Sequence, residues 1–193
     1  MIISCEVKEM MNRTAEEFDH AIAECKEVFI TKMKDYGTAW RILRPPSLTD
    51  QIYIKANRIR TIEQKGMMRV DEGIRTEFIG IVNYSVMALI QLELGDESEL
   101  ELDRSTSEVL YDKHILSARS LMQDKNHDYD EAWRNMRVSS LTDIILMKLM
   151  RIKQIEDHAG ETFVSEGVDA NYRDIINYAL FALIKIEESV TNP

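Results

Sequence analysis

The sequence predicts an all-α helical bundle built from two tandem, pseudo-twofold-related three-helix repeats. Three observations predict it. Only 7 Gly and 3 Pro stand among 193 residues, of which 45% are hydrophobic; that is enough apolar surface for a core and too few breakers for a chain of many turns. Apolar residues recur at helical spacing through most of the chain. And the first half returns in the second: DYGTAWR begins at Asp35 and DYDEAWR at Asp128, followed by SLTD at Ser47 and again at Ser140.

The repeat sets the domain organisation. A constant shift aligns Lys32 with Lys125, Tyr36 with Tyr129, Trp40 with Trp133, Lys55 with Lys148, Arg58 with Arg151 and Glu63 with Glu156. After one inserted residue, Glu72-Gly73 matches Glu166-Gly167 and Asn83-Tyr84 matches Asn177-Tyr178. This gives an N-terminal extension at 1–13, a first repeat at 14–95, an acidic linker at 96–106 and a second repeat at 107–190, the two repeats forming one compact domain. The linker, GDESELELDRST with its flanking glycine, has no apolar face.

Each element follows from its pattern. In the first helix, Phe18, Ala21, Ile22, Cys25, Val28 and Phe29 share one face. Thr14 with Glu17 reads as a capping box at its start, and Gly37 or the Pro45-Pro46 pair as its end. The second helix opens on Ser47, or Ser140 in the second repeat, as N-cap, with an acid three residues on. Its core face is Leu48, Ile52, Ala56, Ile59 and Ile62, matched by Leu141, Ile145, Leu149, Ile152 and Ile155. The third helix, about Ile74 to Leu94 and about Asp169 to Glu188, is apolar nearly all round and belongs at the centre of the bundle.

Bulk properties narrow the function. A formal net charge of −10 argues against stable nonspecific nucleic-acid binding. No apolar run reaches the ~18 residues of a membrane span, and the first residues lack the pattern of a signal peptide. Cys5 and Cys25 have no metal-ligand spacing and read as reduced thiols, so a cytoplasmic setting is expected. His127-Asp128 has the form of a metal-binding pair, but the first repeat has Lys34-Asp35 there; His114 matches Ala21 on a core face and His158 falls in a turn.

Residues shared by both copies are the candidates. Tyr36, Trp40, Tyr129 and Trp133 either plug the end of the bundle or offer a wall on which a nucleobase stacks. Lys55, Arg58, Lys148 and Arg151 put two cations on one flank of each second helix. They are a solvated face, partners for Asp35 and Asp128, or phosphate holders. Glu63 and Glu156 fall on an apolar face near a helix end, where a carboxylate needs a partner, a metal or access to water. Asn83 and Asn177 interrupt the most apolar helix and require hydrogen bonds there.

These motifs, K-x-x-D-Y-x-x-A-W, then S-L-T-D with I-x-I-K-x-x-R-I, then I-x-N-Y-(S/A)-x-x-A-L, resemble the nucleotide modification associated domain 1 family of bacteria and phages. The resemblance spans nearly the whole chain and implies an association with nucleotide modification, with no activity assigned. With the residues above it marks Lys32, Asp35, Tyr36, Trp40, Lys55, Arg58 and Asn83, and Lys125, Asp128, Tyr129, Trp133, Lys148, Arg151 and Asn177, as ligand or phosphate contacts in a pocket between the halves. The chain is also remotely similar to MazG-like all-α nucleoside-triphosphate pyrophosphatases, where E-x-x-E and E-x-x-D pairs hold Mg²⁺. The E-x-x-D frame is half kept in each copy, as Glu77-x-x-Gly80 and Asn171-x-x-Asp174, and cations occupy the E-x-x-E frame. That resemblance implies one degenerate site for Mg²⁺ or Mn²⁺ drawn from Glu63, Glu77, Glu156 and Asp174. The expected function is nucleotide binding, with pyrophosphohydrolysis as its enzymatic form and a small-molecule nucleotide as partner; homo-oligomerisation is compatible with it. A non-catalytic helical scaffold or interaction module is the alternative.

Overall fold

The computed structural model describes residues 5–66, 73–95, 100–129, 131–158, 160 and 166–191, with side chains from 13 to 190. Six long helices run α1 (Cys5–Tyr36), α2 (Pro45–Lys65), α3 (Ile74–Leu94), α4 (Arg104–Tyr129), α5 (Val138–Asp157) and α6 (Val168–Thr191), and no strand occurs among the described residues. A short 3-10 turn, Ala39–Ile42 or Ala132–Asn135, comes after the first helix of each repeat. The all-α class and the two three-helix repeats are as the sequence predicts.

The central layer is α3 and α6, packed on each other and backed by α2 and α5; α1 and α4 lie across them. Burial explains the composition of α3. It is long and apolar enough to cross a membrane, yet two-thirds of its apolar window, 67%, is enclosed by other helices. The core joins Phe18 and Phe29 of α1, Ile52 and Ile59 of α2, Phe78, Ile81 and Val86 of α3, and their counterparts in the second repeat.

Reciprocal ion pairs reveal the pseudo-twofold relation. Lys26 on α1 meets Asp112 on α4 at 2.7 Å, and Arg119 on α4 meets Asp19 on α1 at 2.5 Å. Between α2 and α5, Lys153 meets Asp50 at 2.5 Å and Arg60 meets Asp143 at 3.7 Å. In each case the second pair is the first with the repeats exchanged, as a two-fold interface requires.

Helix ends correct the sequence reading in three places. Thr14 does not cap α1, which already runs from Cys5; Thr14 is buried, and its hydroxyl accepts a hydrogen bond from Arg134 at 2.5 Å. The stretch before it has no Gly or Pro to stop a helix, so a T-x-x-E pattern alone misplaced the start. Ser47 and Ser140 are not N-caps; Arg44 and Arg137 are, and the serines lie in the first turns of α2 and α5. Proline is favoured in a first turn, and Pro45-Pro46 opens α2 rather than ending α1. Gly37, with φ of 57°, stands directly after the last residue of α1 and ends that helix. The linker also ends early: Asp103 accepts from the Thr106 N–H at 2.9 Å and its hydroxyl at 2.6 Å, which starts α4 at Arg104. Residues 5–13 of the expected extension continue α1 as helix. The thiol of Cys5, Glu72 and linker residues 96–99 lie outside the described residues. Cys25 is a buried free cysteine, and burial raises its pKa far above the ordinary thiol range.

Candidate functional site

The shared motif builds one cavity in each repeat. The first, about 330 Å³, is lined by Phe29, Lys32, Tyr36, Trp40, Tyr84 and Met87 among others. The second, about 320 Å³, is lined by the counterparts Met122, Lys125, Tyr129, Trp133, Tyr178 and Phe181, and also by Asp174 and Asn177. The end of the first helix supplies the lysine and a mostly exposed tyrosine, Tyr36 at 65% and Tyr129 at 70%. The 3-10 turn brings the tryptophan back over the bundle, and α3 or α6 provides the floor. Both volumes lie at the lower end of the range of about 300–1,000 Å³ usual for small-molecule pockets. Each cavity is lined by residues of its own repeat, not by both halves as the sequence reading expected.

The cationic flanks are placed differently from that reading. Glu77, 4% exposed, accepts from Lys55 at 3.2 Å and from Arg58. In the second repeat Asp174, also 4% exposed, accepts from Lys148 at 2.6 Å and Lys125 at 2.5 Å. Burial pushes the Asp174 carboxyl up, but the two ammonium groups outweigh it and hold it below the usual carboxylate range. Burial also works against the charged Lys125, and Asp174 more than offsets it, so its pKa rises. Arg151, Asp35 and Asp128 are exposed and line neither cavity; Asp128 lies 3.3 Å from the His127 ring. Of the alternatives for the flank cations, pairing with Asp35 and Asp128 does not occur among the described contacts; Lys55, Arg58 and Lys148 pair with the third-helix acids instead.

The divided E-x-x-D frame has a simple geometry. A Cβ on Gly80 would sit 2.6 Å from Cε of Lys55, so the Lys55 stem occupies the space that Asp174 fills in the second repeat. In repeat 1 the acid stands one turn earlier, at Glu77, and the lysine lies over the glycine.

The asparagines are structural anchors that differ between repeats. Asn83 donates to the Cys25 carbonyl at 3.0 Å, and Asn177 donates to the equivalent Ala118 carbonyl at 2.9 Å. The Asn83 oxygen also accepts from the Tyr111 hydroxyl at 2.9 Å. Phe18 stands where Tyr111 would be in the other repeat and has no hydroxyl, and the buried Asn177 oxygen has no hydrogen-bond partner among the described residues.

The four carboxylates proposed for a metal are not brought together. Glu77 and Asp174 are engaged by cations. Glu63 and Glu156 sit at the α2–α5 contact, accepting from Thr142 at 3.4 Å and Thr49 at 2.8 Å. Burial raises both carboxyls above their usual range, with the threonine hydrogen bonds partly offsetting it. Among the described residues no three His, Cys, Asp or Glu side chains converge as a metal site. This donor set does not fit Mg²⁺ or Mn²⁺, which needs several free oxygens around one point.

Sequence reasoning missed Tyr84, Tyr178, Met87 and Phe181 as cavity residues. The tyrosines carried a signal, since each comes directly after the shared asparagine. Met87 and Phe181 occupy matching positions but differ in type, so repetition could not mark them.

No curated protein and no solved structure matches the chain. The comparisons do not show the MazG-like similarity. The sequence model of the family described as nucleotide modification associated domain 1 matches residues 32–92 and 125–186, the stretches that form the two cavities, and the chain belongs to that family.

Proposed function

We propose that the chain binds a nucleotide in a motif-built cavity, the base against the Trp and Tyr wall and the phosphate at the motif lysine. The supporting observation is that the same aromatic cavity with one lysine at its edge is built twice from the residues the two copies share. Aromatic faces accept bases of any sequence, and a lysine is a compact point charge for phosphate. Lys32 and Lys125 take the phosphate role in this reading. Lys55, Arg58 and Lys148 are matched to internal acids and hold the third helix to its neighbours. Because the acids do not fit a divalent ion, no hydrolytic step is assigned to them.

The internal pairing favours a second reading, a helical scaffold or interaction module in which every buried charge serves the fold. A thermal-shift screen separates the two. Nucleoside mono-, di- and triphosphates are added with and without Mg²⁺ or Mn²⁺. A ligand that binds only the folded state, at 100-fold over its Kd, adds about 2.7 kcal/mol and raises Tm. A flat response to every nucleotide up to millimolar concentration would leave the scaffold reading standing. A response that demands the metal would reopen the pyrophosphohydrolase reading.

A further inference from the structure

The two cavities differ in what remains available to a ligand. In the first repeat Lys32 is exposed, lines the cavity, and has no ion-pair partner among the described residues. No acid among the described residues lines that cavity. Trp40 is half-buried on its wall, with no aromatic or cationic group over its ring among the described residues. In the second repeat the same two positions are taken. Phe181 stacks on Trp133 at 4.2 Å between centroids and 7° between planes, and the Arg134 guanidinium lies 4.4 Å from the same ring. Lys125 is tied to Asp174, which itself lines the cavity.

We propose that the chain takes one phosphorylated aromatic ligand, in the first-repeat cavity between Trp40 and Lys32, and that Asp174 closes the second cavity to anions. This rests on the nucleotide reading and narrows it from two equivalent sites to one. The chemistry is direct. A phosphate entering the second cavity meets a carboxylate whose charge already engages the lysine, and like charges in a partly enclosed space repel. The base would also have to displace the Phe181 ring from Trp133. In the first repeat Met87 replaces Phe181 and Gly80 replaces Asp174, so both obstacles are absent.

Gly80→Asp transplants the closing acid. The three atoms nearest to a Cβ there all belong to the flexible end of Lys55, so the fold should accept it. Isothermal titration with AMP, UMP and inorganic pyrophosphate on the full chain tests the proposal. Circular dichroism and Tm check each variant's fold. The expected result is one equivalent of nucleotide, weakened roughly tenfold or more in Lys32→Ala and in Gly80→Asp, the scale of one charge-assisted contact. Asp174→Asn combined with Phe181→Met, which removes both obstacles, should raise the stoichiometry toward two; if that variant does not fold, Gly80→Asp decides. Two equivalents on the unaltered chain, or undiminished affinity in a folded Gly80→Asp, would overturn the single-site proposal while leaving nucleotide binding intact. No heat and no Tm shift with any of the three probes would instead remove the nucleotide reading, and this one with it.

Discussion

The two repeats keep the same helices and the same cavity, yet they neutralise their buried charges by different means. In repeat 1 a glutamate one turn early meets Lys55 and Arg58, which are 25% and 28% exposed. In repeat 2 an aspartate deeper along the helix meets Lys148, only 10% exposed, and also engages Lys125 at the cavity edge. After a duplication, what is held constant is the match of charge to charge in the core; the position of the acid is free to move as long as a lysine stem can track it. That freedom decides which cavity keeps an available cation.

The comparison breaks most sharply at Asp174. Asp174→Asn leaves Lys148 enclosed without its counter-charge, and loss of one partner of a buried pair costs about 3 kcal/mol or more. Glu77→Gln should cost less, about 1–2 kcal/mol, because Lys55 and Arg58 can turn to water. Urea denaturation of the two variants gives the difference. The Asp174 effect has a pH signature. Its folded pKa is held below the ordinary value of about 3.9. Its contribution is therefore complete above that value and is lost as pH falls through the folded one. Asp174→Asn should flatten that part of the acid-denaturation profile.

Next in size is the hydroxyl that only one asparagine receives. Tyr111→Phe puts Asn83 in the condition of Asn177, with a buried carbonyl oxygen and no donor. The expected cost is about 1–2 kcal/mol, the desolvation of one unsatisfied acceptor. A cost near zero would mean the two asparagine environments are equivalent after all, and that the Tyr111 contact carries no stability.

The acid exchange itself can be tested by rewriting repeat 1 as repeat 2. Glu77→Asn alone removes the counter-charge of Lys55 and Arg58. Glu77→Asn with Gly80→Asp restores it at the other position. The double variant should lie within about 1 kcal/mol of the unaltered protein, since replacing a mid-helix glycine recovers some helix propensity. If the double variant is no more stable than the single one, the two acid positions are not interchangeable.

The fold was legible because its signals are local and were written twice. The periodicity of α3 placed it at Ile74–Leu94, and SLTD fixed the register between α2 and α5. The start of α1 was not legible: T-x-x-E imitates a cap, and nothing in EVKEMMNR announces that the helix is already running. The site was legible only in part. Repetition drew attention to Lys32, Tyr36, Trp40 and their counterparts, which do line cavities. It could not say that Lys55 and Arg58 find Glu77, because partner choice between helices depends on their crossing and not on spacing along either one. The sequence does show Gly80 against Asp174 as a divergence between the copies, but it gives no hint that Met87 and Phe181 line the cavities, where the copies also disagree.

The smallest expected effect lies at Glu63 and Glu156, where the repeats make reciprocal contacts. Each accepts a hydrogen bond from a threonine of the opposite repeat, and burial raises each carboxyl above its usual range. A raised folded pKa means that ionisation weakens the fold: stability from these groups is fullest below the unfolded value of about 4.3 and declines as pH rises through the folded one. A glutamine keeps an oxygen for the threonine hydroxyl and carries no charge to desolvate. Glu63→Gln or Glu156→Gln should therefore shift stability at pH 7 by no more than about 0.5 kcal/mol, toward stabilisation. The gain should vanish near pH 4, where the native carboxyl is itself protonated. Because the contacts are reciprocal, the two variants should shift stability in the same direction, although Thr49 also meets the Tyr172 hydroxyl at 2.6 Å and Phe78, at the matching position of the first repeat, has no hydroxyl to offer Thr142. Unfolding curves at pH 4 and pH 7 provide the check, and a loss above about 1 kcal/mol in only one variant would extend the asymmetry of the cavities to the interface between the repeats.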